Sequence, residues 1–224
     1  MMIKPVVLTR TTVTASAVAH LRSEIIADNL SAGEGLPEAK IGELLGISRA
    51  PIREALAVLE REGLVTFDRR GTARVCTFGL EEVREIGMMR LTLEPVAARL
   101  ASERRPSDEL LAIETNLRRL KQSTSLPVVT QLDLDFHRLI LQASGNHRLQ
   151  SAWENLASQF LLVMARFHRN EEKKTLRVRD STHRAHCELF TPIWEGNSAQ
   201  AESIARKHAT EWLDELQQSG LFPS

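Results

Sequence analysis

The chain has 224 residues, 42% hydrophobic and 26% charged, with 29 basic side chains against 29 acidic ones. That length suits one large domain or two small ones, and the balanced charge excludes a bulk basic signal, so any nucleic-acid site must be local. Cys76 and Cys187 lie far apart with no CxxC, which excludes a disulfide scaffold or Cys-rich zinc site and fits a reducing cytoplasm. No run of about 18 apolar residues predicts a membrane span, and MMIKPVVLTR is too short in its apolar part for a signal peptide.

In chain order, Val18, Leu21, Ile25 and Ile26 recur at helical spacing and predict a helix over 12–29, which SAGEG then breaks. Pro37 opens a second helix over 38–45, closed by Gly46, and Ser48 suits the N-cap of a third over 49–62, with Pro51 tolerated in its first turn. LVTFD and TARVCTF flank Arg69-Arg70-Gly71 and read as a β-hairpin with a basic tip. Beyond residue 78 no strand is expected. Six helical patterns follow, at 80–103, 107–123, 127–144, 147–168, 175–195 and 198–218, with Ser107, Asn146 and Ser198 as expected N-caps. The fold class expected is mainly α: a winged helix-turn-helix over residues 1–78, then an all-α six-helix effector-binding bundle over 79–224.

A short helix, a Gly-containing turn and a second helix make up the helix-turn-helix pattern. In IGELLGISRAPIREALAVLEREGLV, Gly42 allows close helix contact, while Leu56 and Leu59 anchor the second helix. Ser48, Arg49 and Arg53 are left on its exposed N-terminal part, the part that enters the major groove in such folds. Arginine pairs in bidentate fashion with guanine, and serine reaches a phosphate or a base edge. The hairpin tip, Arg69-Arg70-Gly71, is the expected wing. The alternative is a solvated face on which Arg49 and Arg53 only pair with Glu54 and Glu60. Six arginines stand against four acids over residues 49–74, a modest local excess, so tight binding implies a dimer on two half-sites.

LGISRAPIREALAVLEREGLV…RRG resembles the winged helix-turn-helix of the GntR family of bacterial transcription regulators, and EEVREIGMMRLTLEPVAARLAS resembles the start of the all-helical effector (FCD) domain of its FadR subfamily. The resemblance runs from about residue 12 to 216. It implies double-stranded operator DNA as partner, a homodimer, and no enzymatic activity. Arg49, Arg53 and Gly71 fall on the family's DNA-contacting positions, with Ser48 and Arg70 beside them. Ala39 stands where many members carry a basic or polar residue, which implies a different operator.

In the helical half, LDLDFHRLI places Asp133 and His137 four residues apart, on one helical face beside an apolar stripe. His208 lies on the stripe of Ala201, Ala205 and Trp212, and His186 shares a face with Leu189 and Ile193; His183, one turn earlier, competes with it. Burying three imidazoles and a carboxylate without partners would cost several kcal/mol. A divalent cation removes that cost, and an N₃O set suits Zn²⁺, with Mn²⁺ or Ni²⁺ as alternatives. The same four positions, Asp133, His137, His186 and His208, resemble the metal site of a FadR-subfamily group, and the register through IWEGN then favours His186. Arg90, inward with Ile86, Leu93 and Ala97, suggests a small carboxylate effector, against a simple pair with Glu94. Asn146 is either a further ligand contact or a helix cap. The resemblance implies hydroxy- or sugar-acid effectors. Two other readings are a structural or regulatory metal without an organic effector, and a metal-dependent hydrolase. Pro192 predicts a kink near the site.

Overall fold

The computed structural model describes residues 8–175 and 177–223, with side chains from residue 13 onward. The chain separates into two compact units, one ending at Thr77 and one beginning at Phe78.

The first unit runs α1 (Leu8–Ile26), β1 (Gly35–Leu36), α2 (Glu38–Leu45), α3 (Arg49–Arg61), β2 (Val65–Phe67) and β3 (Ala73–Val75). α1 ends three residues before the expected boundary, where Asp28 takes a φ of 67° and turns the chain away. β1 was not expected. It joins the hairpin as a third antiparallel strand, in the order β1-β3-β2, with Gly35 opposite Arg74 and Val65 opposite Val75. α1 packs on α3, and Leu21, Ile25, Ile52, Leu56, Leu59, Leu64 and Val75 are buried. Apolar residues spaced three and four apart on α3 put one face into that core and leave Arg49, Arg53 and Glu54 in water.

The turn between α2 and α3 is tight. Gly46 caps α2 with a φ of 67°, and a Cβ on Gly42 would stand 2.7 Å from the Ile47 carbonyl oxygen. Gly42→Ala is therefore expected to destabilise this unit by about 1–3 kcal/mol through overpacking. Thermal denaturation followed by circular dichroism checks it, and an unchanged transition would refute the close approach.

The second unit is helical throughout its described length: α4 (Leu80–Arg104), α5 (Ser107–Gln122), α6 (Leu126–Ala143), α7 (His147–Thr175), α8 (Val178–Glu195) and α9 (Ser198–Gln218). α4 packs along α9, α6 lies between α5 and α7, and α8 meets α9 and α5. Several boundaries differ from expectation, and α8 begins at Val178 rather than 175. Pro106 and Asn197, not Ser107 and Ser198, hold the N-cap positions, and Asn197 Oδ1 accepts from the Gln200 amide at 3.2 Å. α7 continues seven residues past 168 through the polar run RNEEKKT, where Lys174 pairs with Glu171 at 2.8 Å and side-chain pairing replaces an apolar stripe. α8 continues through Pro192 to Glu195. That proline lies near the C-terminal end, and its carbonyl accepts from Ser102 Oγ at 3.3 Å.

Candidate functional site

In the winged unit, Ser48 is the N-cap residue of α3, and its hydroxyl makes no capping bond. Ser48 and Arg49 are exposed at the helix N-terminus. Among the described residues no hydrogen bond or ion pair holds Arg49. Arg53 pairs with neither Glu54 nor Glu60. Its Nε and Nη2 donate to Glu38 Oε1 and Oε2 at 2.8 and 2.9 Å, a bidentate pair between α3 and α2. At the hairpin tip Asp68 Oδ1 accepts from the Arg70 and Thr72 amides at 2.9 and 3.0 Å, and Oδ2 accepts from Arg74 Nε at 3.0 Å. Gly71 follows with a φ of 76°, a conformation that favours glycine. The result is a turn held from below by a carboxylate, with Arg69, Arg70 and Gly71 exposed above it. Those backbone bonds hold the Asp68 carboxyl below the usual carboxylate range, assisted by Arg74 and opposed by slight desolvation.

Glu38 thus gives Arg53 a fixed direction. Glu38→Ala is expected to leave the melting temperature unchanged, since exposed pairs contribute little, yet to weaken specific duplex binding several-fold by releasing Arg53. Fluorescence anisotropy checks this; unaltered binding would show that the pair has no part in recognition.

In the helical unit, the structure brings Asp133 and His137 from α6, His186 from α8 and His208 from α9 to one place. A ligand nitrogen from each of His137, His186 and His208 lies within 4.8 Å of the others. Asp133 Oδ1 is 3.4 Å from His137 Nε2 and 3.2 Å from His186 Nε2. Asp133, His137 and His186 are buried, and His208 is half-buried. His186 stacks on Phe136 with ring centroids 3.9 Å apart, and its Nδ1 has no partner among the described residues.

Two further groups, not singled out from the sequence, complete the cluster. Glu94 Oε2 lies 3.2 Å from His137 Nδ1. A carboxylate only accepts, so Nδ1 carries a proton. The other ring nitrogen, Nε2, faces Asp133 Oδ1 at 3.4 Å. His168, on α7, directs Nε2 to Asp133 Oδ2 at 3.3 Å, with Thr130 Oγ1 at 2.9 Å from its Nδ1. Burial alone would raise the Asp133 carboxyl; the charge of His186 and hydrogen bonds from His137, His168 and His186 outweigh it and hold it well below the usual range. Burial likewise lowers His137, but the Glu94 charge prevails and raises it. His208 is pushed well down, by burial first and then by His137, His186 and Arg90.

Arg90 is fully enclosed, at 0% exposure. Its Nε and Nη2 donate to Glu94 Oε1 and Oε2 at 2.7 and 3.1 Å, and Trp153 Nε1 donates to Glu94 Oε1 at 3.1 Å. Nη2 is 3.2 Å from His137 Nε2. The guanidinium carbon lies 4.1 Å from the Phe160 ring centroid and 4.5 Å from that of Trp212. So the Glu94 pair that the sequence allowed is present, and Arg90 also reaches the histidine cluster. Its Nη1 is buried with no partner among the described residues. Arg90, Asp133, His137, His168, His186 and His208 all line a cavity of about 550 Å³.

Two candidates are not brought in. Asn146 is exposed and does not line the cavity; its Oδ1 accepts from the Arg148 and Leu149 amides, both at 3.1 Å, so it caps α7. His183 lies half-buried against Cys187 Sγ, at 3.6 Å, outside the cluster.

The residues present fit a divalent ion. Metal–ligand bonds of 2.0–2.2 Å at tetrahedral or octahedral angles give ligand–ligand edges of about 2.8–3.6 Å, and the Asp133–His137 and Asp133–His186 separations fall in that range. Glu94 on His137 is the outer carboxylate that commonly fixes a ligating imidazole.

Comparison with known proteins gives the family. Residues 13–75 match the bacterial regulatory proteins of the gntR family, and residues 85–211 match the FCD domain. The gluconate operon transcriptional repressor of Bacillus licheniformis is 30% identical over 173 residues, covering 74% of this chain and 70% of that protein. The HTH-type transcriptional regulator YdhC of Bacillus subtilis is 29% identical over 141 residues, 61% of this chain and 63% of its own length. In fold, McbR/YncC of Escherichia coli superposes with a TM-score of 0.74 at 19% identity, covering 97% of this chain and 99% of that one. A GntR regulator from Rhodococcus sp. RHA1 gives 0.75, also at 19% identity, covering 92% and 97%. Both relatives are described as transcriptional regulators, so the hydrolase reading is set aside. No described helix is long and apolar enough to cross a membrane. The chain belongs to the GntR family of bacterial DNA-binding transcription regulators, with an FCD domain as its helical half.

Proposed function

We propose that this is a homodimeric, effector-responsive regulator of the FadR subfamily. Its winged unit grips double-stranded operator DNA through Ser48, Arg49, Arg53, Arg70 and Gly71. Its helical unit holds a divalent ion on Asp133, His137, His186 and His208, and a small carboxylate effector binds beside it. Zn²⁺ suits the three nitrogens and one oxygen best, and Mn²⁺ or Ni²⁺ also suit them. Held by these four residues, a five- or six-coordinate ion would supply fixed positive charge and one or two positions for a carboxylate oxygen. The observation that carries the effector reading is Arg90 Nη1: a buried cationic donor without a partner among the described residues, on a side chain that lines the cavity the histidines also line. A buried guanidinium N–H left unmatched is costly, and a carboxylate matches it. Effector binding then changes operator affinity by favouring one of two states of the protein.

The test is a thermal-shift screen of small carboxylates on metal-loaded and chelator-stripped protein. Gluconate heads the screen, because a relative is a gluconate operon repressor. A ligand stabilises the native state by mass action. An acid that raises the melting temperature only with metal present supports the reading. A second reading, in which the metal alone is structural or is itself the signal, draws on the saturation of Asp133 by three imidazoles. It predicts stabilisation by metal and no added effect from any acid.

A further inference from the structure

The cavity has two chemically opposite ends. Its inner wall offers free donors beside the Asp133–histidine cluster: among the described residues Arg90 Nη1 is unpartnered, and so is Trp212 Nε1, on a side chain that is 9% exposed and lines the same space. Its rim carries three carboxylates, Glu171, Glu211 and Glu215. α9 sets the separation. His208, Trp212 and Glu215 follow one another along one face, so Glu215 stands about 10 Å beyond His208 at 1.5 Å rise per residue. Lys174 pairs with Glu171 at 2.8 Å and Lys207 with Glu211 at 3.6 Å. Glu215 has no ion pair among the described residues. Desolvation, followed by the charges of Glu171 and Glu211, pushes its carboxyl up. The other cation on the lining, Arg177, sits at the N-cap of α8.

We infer that the effector is a carboxylate bearing a cationic amine at its far end, with the acid group at Arg90 and the histidine cluster and the ammonium at Glu215. This rests on the cavity being the effector site. A plain monocarboxylate leaves Glu215 without a counter-charge, and a dicarboxylate places a second negative charge against it.

Titration calorimetry on the metal-loaded full chain, with 6-aminohexanoate, hexanoate and adipate, tests this. 6-Aminohexanoate is expected to bind about five-fold or more tighter than hexanoate, the scale of a partly exposed ion pair, with adipate weakest. Glu215→Gln should erase most of that preference, and Glu215→Lys should turn it toward adipate. Hexanoate binding as well as 6-aminohexanoate, or a Glu215→Lys variant that still prefers the amine, overturns the inference while leaving a carboxylate effector standing. No binding by any of the three, together with a blank carboxylate screen, removes the effector reading with it.

Discussion

Arg49→Ala is expected to abolish specific operator binding at moderate salt while leaving the melting temperature and helical signal unchanged. Arg49 is exposed at the start of α3, and nothing among the described residues ties its guanidinium down. Removing it leaves no buried group unpaired. An arginine so placed reaches a guanine O6/N7 pair, and such a contact discriminates by about 1–3 kcal/mol. A dimer loses it at both half-sites, which multiplies the effect. Arg53 differs, since Glu38 already holds it, so its loss removes a guanidinium of fixed direction rather than a free one. Anisotropy titrations with the cognate duplex and with a scrambled one separate the cases. Loss confined to the cognate duplex marks Arg49 as a base reader. Equal weakening on both marks a phosphate contact, and undiminished binding removes Arg49 from the interface.

The second large effect concerns the helical unit. His208→Ala is expected to weaken metal binding by about a hundred-fold or more, beyond the 10- to 100-fold typical of losing an outer-shell partner. Of the three clustered imidazoles, only His208 makes no hydrogen bond among the described residues. Its rings of contact are His137 and His186, at 5.3 and 5.4 Å between centroids. Truncating it therefore removes a ligand without depriving a buried partner of its hydrogen bond, whereas truncating His137 would take a donor from Glu94 and truncating Asp133 would take the acceptor of three imidazoles. Metal content after dialysis gives the occupancy. Chelation of the unaltered protein should lower its stability by about 4 kcal/mol if metal had stood a thousand-fold above its Kd, and that gap should fall to about 1.4 kcal/mol or less in His208→Ala. Unchanged stoichiometric metal in the variant would mean that the ion sits elsewhere.

Much of this was legible in the sequence where a local rule has one outcome. Gly46, Ser48 and Pro51 delimit α2 and α3 because cap and proline geometry act within a turn. The four-residue step from Asp133 to His137 places both on one face in any α-helix. What escaped depends on distant partners. β1 is two residues long and exists only because β3 pairs with it. The last two turns of α7 lack an apolar stripe, so periodicity stops at His168 while the helix goes on. His168 itself follows Phe160 and Met164 at helical spacing, the same sign that exposed His208, so a signal for it was present. Glu94 was visible only as one possible partner for Arg90, and its hydrogen bond to His137 spans two helices. Asn146 obeyed the local rule for caps rather than the functional reading.

The overhang of α7 has an evolutionary consequence. Its exposed, charged residues wall one side of the cavity without contributing to the buried core, and exposed substitutions usually alter stability by no more than about 0.5 kcal/mol. The inner wall has no such freedom, because Arg90, Glu94, Asp133 and His137 each hold another member of the set. Selection can thus retune which molecule is sensed by drifting the outer residues, while the ion-holding interior stays under tight constraint.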